Sequence, residues 1–572
     1  MLRPTLALAI AVAVALAGCG DNFDADLKVV EDAPYLSTGG ATGEPPTTGP
    51  DTVTTTSGRT TGSATGDDGE TTGSAMMTTD AGDSTTTGTD ASEDAGSSSG
   101  GALPPPTILE VDMPGKVALA GPVPFSTTTI HATFARAKLD GVDIGALQDD
   151  GGGVFSGAVA IYGAVDNGDH VLEVIAEREA LSDHHPVPFK VTAPATGTVA
   201  WAVPGPAGSR TRRIAFTAER DVIEVGTISI AGVQRPMIRK LSGVTGAELW
   251  AKGTIVLDDR EGWAVDVAVA PDGHLWVAMN VRTAPNVWRP RIVRLNAAGN
   301  PTGVEVPAEA GQTVTAIDND GTGGCVAVGF AGSGQTDTDV IVWRMNGEHV
   351  AVLGGKPWDY MPPGELKPHK FTDLATDVVV RDGVAWIVGL SVGLHDKDDN
   401  LARSRGFVLR LDIDTAAELG PVIIAPKSGL WTQSKFFGAA AHPDGILVTG
   451  SACNNACDSE RIETALYTAA GARPWFRPEL AAVSARGNAV ALNAHGGVVV
   501  AVTLREGAAL RGYLLGRVVY DDQAAPFSVP FPASKQDSEA SGIAIDEFDR
   551  IAGGGYRTLG GVTESRTILA HP

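Results

Sequence analysis

Between residues 196 and 572 short apolar runs come in pairs, each pair separated by a tight polar turn. The unit is legible at 263–278, at 314–321 with 325–329, at 375–389, at 437–450, at 487–501 and at 541–554, and in a degenerate first copy at 213–226. Its length predicts two strands joined by a hairpin, and Asp-Gly turns favour that reading because both positions tolerate positive φ. Most copies run on into a third apolar segment, as at 291–299, 340–347 and 406–412, and then a weaker fourth. Four strands per unit of ~50 residues is the pattern of a propeller blade. Seven copies are counted. The last ends at its third strand, and the spare apolar segment 196–203 ahead of the first copy is expected to complete it, closing the ring and removing an exposed sheet edge. Upstream, 107–113, 127–134, 153–162, 170–177 and 188–192 alternate like strands with turns between them, as in a β-sandwich.

The expected fold is therefore all-β: a β-sandwich over 103–195 followed by a seven-bladed β-propeller over 196–572. The stretch 168–174, Gly-Asp-His-Val-Leu-Glu-Val, is similar to the penultimate strands of bacterial immunoglobulin-like domains. The units around Asp272-Gly273 and Asp444-Gly445 resemble loose bacterial propeller repeats, a family defined by fold that implies no ligand.

Ahead of these domains the pattern changes. Arg3 precedes an uncharged apolar run, 6–16, too short for a hydrocarbon core of ~30 Å and of signal-peptide length. The run ends in Leu16-Ala17-Gly18-Cys19, which resembles the lipobox of bacterial lipoprotein precursors. The resemblance implies removal of residues 1–18 and acylation of Cys19, hence a membrane partner through the lipid. Asp21 stands one place later than the position associated with inner-membrane retention, which favours an outer-membrane lipoprotein. Residues 19–102 are then the acylated cysteine and a disordered tether: repeated Thr-Thr-Gly with almost no aliphatic content cannot offset its ordering entropy. The stretch 36–102 has an r.m.s. span of ~40–50 Å as coil.

Charge and cysteine content narrow the function. Forty-three Lys+Arg against 68 Asp+Glu give a formal net charge of −25, which repels phosphate backbones and excludes nucleic acid as a partner class. An oxidising location permits a disulfide between Cys453 and Cys457, preferred over a metal pair because no second Cys or His pair stands nearby. Cys325 reads as a small buried hydrophobe. Hydrolase, metalloprotease, P-loop and dinucleotide motifs are absent, so no cofactor, metal or catalytic residue is assigned. Asp318-Asn319-Asp320-Gly321 reads as a hairpin turn rather than a calcium loop. Asp266, Asp318, Asp377 and Asp546 recur on or beside the first strand of each unit, which suggests structural work.

In a propeller the links between second and third strands share a face with the blade-to-blade links. The longest segments of that set are 279–290 with Trp288, 355–371 with Trp358, Asp359, Tyr360, His369 and Lys370, 390–405 with His395, Asp396, Asp398 and Asp399, and 451–463 with the cysteine pair. These residues form the candidate binding face, since loops on a rigid scaffold carry binding. The function expected is a monomeric, non-enzymatic surface or envelope protein that binds a protein or glycan. The alternatives are a propeller hydrolase or lyase acting on polysaccharide with channel carboxylates, and an envelope assembly factor.

Overall fold

The computed structural model describes residues 104–572 apart from 286, 306–310, 333–337, 347–348, 354–356, 360–371, 396–401, 427–430, 455–458, 483, 507–508, 519–526 and 532–536. The signal segment, Cys19 and the tether lie outside the described residues.

The chain is almost wholly strand. Its first part contains β1 (Thr107–Asp112), β2 (Lys116–Val117), β3 (Gly121–Ile130), β4 (Phe134–Leu139), β5 (Val142–Ala146), β6 (Gln148–Gly151), β7 (Val154–Ile161), β8 (Gly168–Arg178) and β9 (Leu181–Val191). They form two sheets, ordered β1-β3-β7-β6 and β2-β9-β8-β4-β5. One apolar core containing Phe125, Phe155, Leu172, Val174 and Phe189 is shared between them. The alternation of β3 explains its place: Val123, Phe125, Thr127 and Thr129 are buried, and the residues between them are not. The apolar run 127–134 is not one strand. His131 takes φ 63°, which ends β3 and starts β4 at Phe134. His184 and His185 lie within β9, and His184 Nδ1 is 3.0 Å from Glu173 Oε1. β5 and β6 carry no buried residue, and the alternating Val142 and Ile144 of β5 are exposed.

The rest of the chain is seven four-stranded antiparallel sheets. Their inner strands are Ser209–Phe216, Gly262–Val269, Gln312–Asn319, Thr372–Arg381, Gln433–His442, Ala485–Leu492 and Ser538–Ile545. Each inner strand packs on the next, and the seventh packs on the first, so the sheets close a ring. The seventh sheet is completed by β10 (Val199–Ala207), which pairs antiparallel with Val562–Ala570, as the spare apolar segment predicts. An apolar cluster fills each junction between neighbouring sheets. Val326, Val328, Ile387 and Phe407 lie between the third and fourth. Ile214, Val222, Leu241, Ala552 and Leu569 lie between the seventh and first.

That closing junction also holds a buried polar network absent from the sequence reading. Glu224 and Arg239, 0% and 2% exposed, meet with Nε donating to Oε2 at 2.6 Å. Thr211 Oγ1 donates to Glu224 Oε1 at 2.7 Å, Thr567 Oγ1 donates to its Oε2, and Arg239 Nη1 donates to the carbonyl of Pro204 in β10 at 3.1 Å. Each charged group thus has several partners, which is what burial of an ion pair requires.

Every inner strand carries a bulge at the same place. The residue left without a partner is Arg212, Val265, Thr315, Thr376, Phe437, Asn488 or Ser541. A bulge bends its strand and re-aims a side chain, and here seven such side chains converge on the axis. In five sheets the residue across from the bulge is glycine: Gly226, Gly329, Gly389, Gly450 and Gly555. A Cβ there would lie 1.8–2.0 Å from a carbonyl oxygen of the inner strand, which explains the glycine closing so many of the repeats.

The hairpin turns are more varied than Asp-Gly alone predicts. Among the described hairpin turns of the ring, Asp382 and Gly383 alone are both at positive φ in an Asp-Gly turn. Elsewhere a side chain caps the turn: Asp272 Oδ1 accepts from His274 N–H at 3.1 Å, and Asp320 Oδ1 accepts from the N–H groups of Thr322 and Gly324 at 2.8 and 2.9 Å. Asp320 therefore works as a turn residue, as read from the sequence. Cys325 is a free thiol with no exposure, packed between the second and third sheets.

The sandwich sits on the turn-bearing face of the ring. The Tyr162 ring at the end of β7 meets His495 edge-on at 4.6 Å and Phe548 at 6.1 Å. Both lie at first-hairpin turns, of the sixth and seventh sheets. The segment from Pro114 to Pro124 lines a groove with Glu219, Arg220, Asp221 and Val244 of the first sheet. Thr107 pairs with Ile130 at the opposite end of the sandwich, roughly 30 Å further from the ring than Gly121, which pairs with Ile161, at ~3.3 Å per strand residue.

Candidate ligand-binding site at the mouth of the ring

The starts of the inner strands and the bulged side chains surround a cavity of about 210 Å³ on the axis. In each sheet the start of the inner strand pairs with the end of the second, as Gly262 does with Val281. The cavity thus opens on the face that bears the links between second and third strands, the face chosen from the sequence. It lies opposite the sandwich.

Four arginines line it, Arg210, Arg212, Arg213 and Arg486, with one acid, Glu539. Trp263, Phe330, Phe437 and Tyr556 supply aromatic surface. The cations lie against the rings: Arg210 is 4.7 Å from the centre of Tyr556, Arg212 5.9 Å from Trp263, and Arg486 5.8 Å from Phe437. This concentration of positive charge reverses the sign of an otherwise acidic chain.

The arginines differ in what they do. Arg213 closes the floor. Its guanidinium donates to the carbonyl of Ser541 at 3.0 Å and, at 3.5 Å, to those of Asn488 and Phe437. It lies 3.9 Å from Asp266 and 3.7 Å from Asp377. It therefore reaches from the first sheet to the second, fourth, fifth, sixth and seventh. Arg486 is held by Asn488 Oδ1 at 2.7 Å and lies 3.5 Å from Glu539. Arg212 is half-buried, and burial pulls its guanidinium down to about 10 despite the Glu539 carboxylate.

The recurring aspartates are ties between sheets. Asp266 accepts from the N–H of Val267 at 2.8 Å and from that of Ile317, in the next sheet, at 3.0 Å. Asp377 repeats this with Val378 and Ala439, at 3.0 and 2.9 Å, and Asp318 with Asn319 and Val380, at 2.8 and 2.7 Å. Asp546 instead caps its own turn through the N–H groups of Phe548 and Arg550. Burial pushes the carboxyls of Asp266 and Asp318 up to about 7 and raises that of Asp377. The folded groups hold their protons to about 7, whereas the ordinary value is 3.8. Their contribution to stability is thus complete below 3.8 and is lost as pH rises through 7. Thermal unfolding followed from pH 5 to pH 8 should show the midpoint falling, and Asp318→Asn should flatten that dependence. An equal slope in the variant would contradict it.

The residues chosen from the sequence are distributed differently. The segment 279–290 is not a loop: the strands Leu275–Ala284 and Val287–Leu295 run through it. Apolar residues such as Trp288 extend the ladder there, and Trp288 is buried against Trp263 at 4.6 Å between ring centres, behind the cavity wall. Trp358 lies at the junction of the third and fourth sheets. Its backbone pairs with Val340 in both directions and its Nε1 donates to Glu418 at 2.8 Å. Asp359 is exposed. The acidic segment is also shorter than 390–405, because Val384–His395 and Ala402–Asp412 extend into it, with His395 paired to Ala402. Likewise 451–463 holds strand up to Cys453 and again from Glu460. Cys453 is disulfide-bonded. Tyr360, His369, Lys370, Asp396, Asp398, Asp399 and Cys457 lie outside the described residues. The arginines were missed, although the alignment of repeats carries a signal for them: Arg212 occupies the column of Val265, Thr315 and Ser541, where no other copy has a charge.

No protein-family model and no curated protein matches the chain. Among solved structures, the polysaccharide lyase Uly1 matches with TM-score 0.41 at 11% identity, over 63% of this chain and 89% of that one. The β-propeller domain of the Trilobed protease from Pyrococcus furiosus matches with TM-score 0.38 at 11% identity, over 63% and 93%. An α-L-arabinanase from Penicillium chrysogenum complexed with arabinobiose matches with TM-score 0.34 at 12% identity, over 54% and 93%. The closed ring of four-stranded sheets is itself a propeller-like arrangement.

Proposed function

We propose that the chain is an exported lipoprotein, anchored through Cys19, whose seven-bladed propeller binds a ligand at the mouth of its ring without transforming it. The observation that carries this reading is the arginine- and aromatic-lined cavity on the face opposite the sandwich. An immunoglobulin-like sandwich then serves as the spacer. Thr107, at the start of the described strands, is at the far end of that spacer from the ring. Binding is favoured over hydrolysis or lysis because Asp266 and Asp377 direct both carboxyl oxygens at backbone N–H groups and so serve as ties between sheets.

Val265 supplies the test. It is the bulged residue of the second sheet, it lines the cavity, and its side chain carries no polar contact. The mature chain is presented to a glycan array and to solubilised envelope beside the variant Val265→Trp, with circular dichroism confirming the fold of both. Capture by the parent and at least a tenfold loss in the variant are expected. Equal capture by a folded variant would contradict the mouth as the binding site.

A further inference from the structure

We infer that the mouth takes a carboxylate-bearing sugar, a uronic-acid residue of an acidic saccharide, with Arg212 receiving the carboxylate and Trp263 and Tyr556 flanking the ring. This rests on the reading of the mouth as a binding site and names what that site selects.

Arg212 carries the inference. Its side chain projects from a bulge into the cavity, and among the described residues no hydrogen-bond acceptor or ion-pair partner meets its guanidinium. Its contact is the face of Trp263. Its nitrogens face the open cavity and none is buried without a partner, so its five donors are available to an incoming anion. A planar fork matches a carboxylate in two parallel hydrogen bonds. Arg213 and Arg486, by contrast, already hold carbonyls, an amide oxygen or Glu539. They supply field and wall and leave Arg212 as the receiving group, with Arg210, which lies against Tyr556 and likewise holds no acceptor among the described residues, beside it.

The aromatic residues choose the kind of anion. Trp263 and Tyr556 border the same cavity. Flat faces beside a cation suit a ring that is apolar on its face and charged at its edge. A pyranose carrying a carboxylate has that form. An acidic peptide offers its carboxylate on a flexible stem with no flat face. The cavity, about 210 Å³, is smaller than the ~300–1,000 Å³ usual for ligand pockets, which fits one ring with the rest of the saccharide outside.

The test uses the mature full-length chain in isothermal titration at low and at high salt. The probes are a galacturonate trimer, its neutral methyl ester and a glutamate pentapeptide. The trimer should bind, more weakly at high salt, and the ester at least about tenfold more weakly, as loss of a charged hydrogen bond implies. Arg212→Ala should weaken the trimer by about tenfold or more and leave the ester unchanged, while Arg212→Lys restores part of the loss. Equal affinity for trimer and ester would overturn the inference. So would peptide binding in place of the trimer that is sensitive to Arg212→Ala. If no probe binds but Val265→Trp still abolishes envelope capture, the mouth stands as the site and the uronate class falls. If Val265→Trp changes nothing either, both readings fall.

Discussion

Replacing Glu224 by alanine should destabilise the ring by about 3–5 kcal/mol, the range for removing one partner of a buried ion pair. The cause is local. Arg239 is 2% exposed and would keep its charge with the carboxylate gone. Thr211 and Thr567 would lose their shared acceptor in the same step. The place amplifies the effect, because Thr567 and Pro204 belong to the sheet that closes the circle, whereas Glu224 and Arg239 belong to the first. The apolar cluster at that junction has only five fully buried members, Ile214, Val222, Leu241, Ala552 and Leu569, so the polar network supplies cohesion that side-chain burial supplies elsewhere. Urea unfolding of parent and variant, read by tryptophan fluorescence, measures the loss. The double variant Glu224→Leu with Arg239→Met should recover the part of the loss that the unpaired charge causes, while Thr211 and Thr567 stay without their acceptor. A loss below about 1 kcal/mol in Glu224→Ala would show that the pair does not hold the junction.

The second large effect is expected at Gly389. A Cβ built there lies 2.0 Å from the carbonyl oxygen of Leu374 and 2.9 Å from the ring of Phe407. The first obstacle is backbone of the bulged inner strand, which no rotamer change can move. Gly389→Ala must therefore push the second strand off the bulge, at about 3 kcal/mol, the upper end of the usual range for overpacking. Gly115→Ala is the control, because nothing lies within 4 Å of its Cβ position. It should stay within about 0.5 kcal/mol of the parent. Comparable losses in the two variants would contradict the close approach at the bulge.

The bulge also explains how much the sequence could show. Period-two apolar runs and turn residues are local signals, and they marked the paired strands, their order and the spare segment that joins the last sheet. The break at His131 was hidden because β-forming residues flank a single residue of positive φ. The loops of the binding face were drawn too long because strand ladders such as Val384–His395 with Ala402–Asp412 continue through polar residues once the hairpin pairs them. The cavity was not legible for a different reason. Arg212, Trp263 and Arg486 are far apart in the chain and become neighbours only when the ring closes. Asp266 and Asp377 carried a clearer mark, since a carboxylate recurring in register already suggested a repeated structural bond, and the structure shows it as a tie from the second sheet to the third and from the fourth to the fifth.

The central claim, that ligand is held at the mouth on the axis, is tested most directly by hydrogen–deuterium exchange of the mature chain with and without the saccharide or envelope fraction it captures. Bound ligand should slow exchange in peptides covering 210–213, 263–265, 486–488 and 539–541, which border the cavity from four different sheets. Protection confined to the sandwich, or to the hairpin turns around 271–274 and 493–497 on the opposite face, would contradict it.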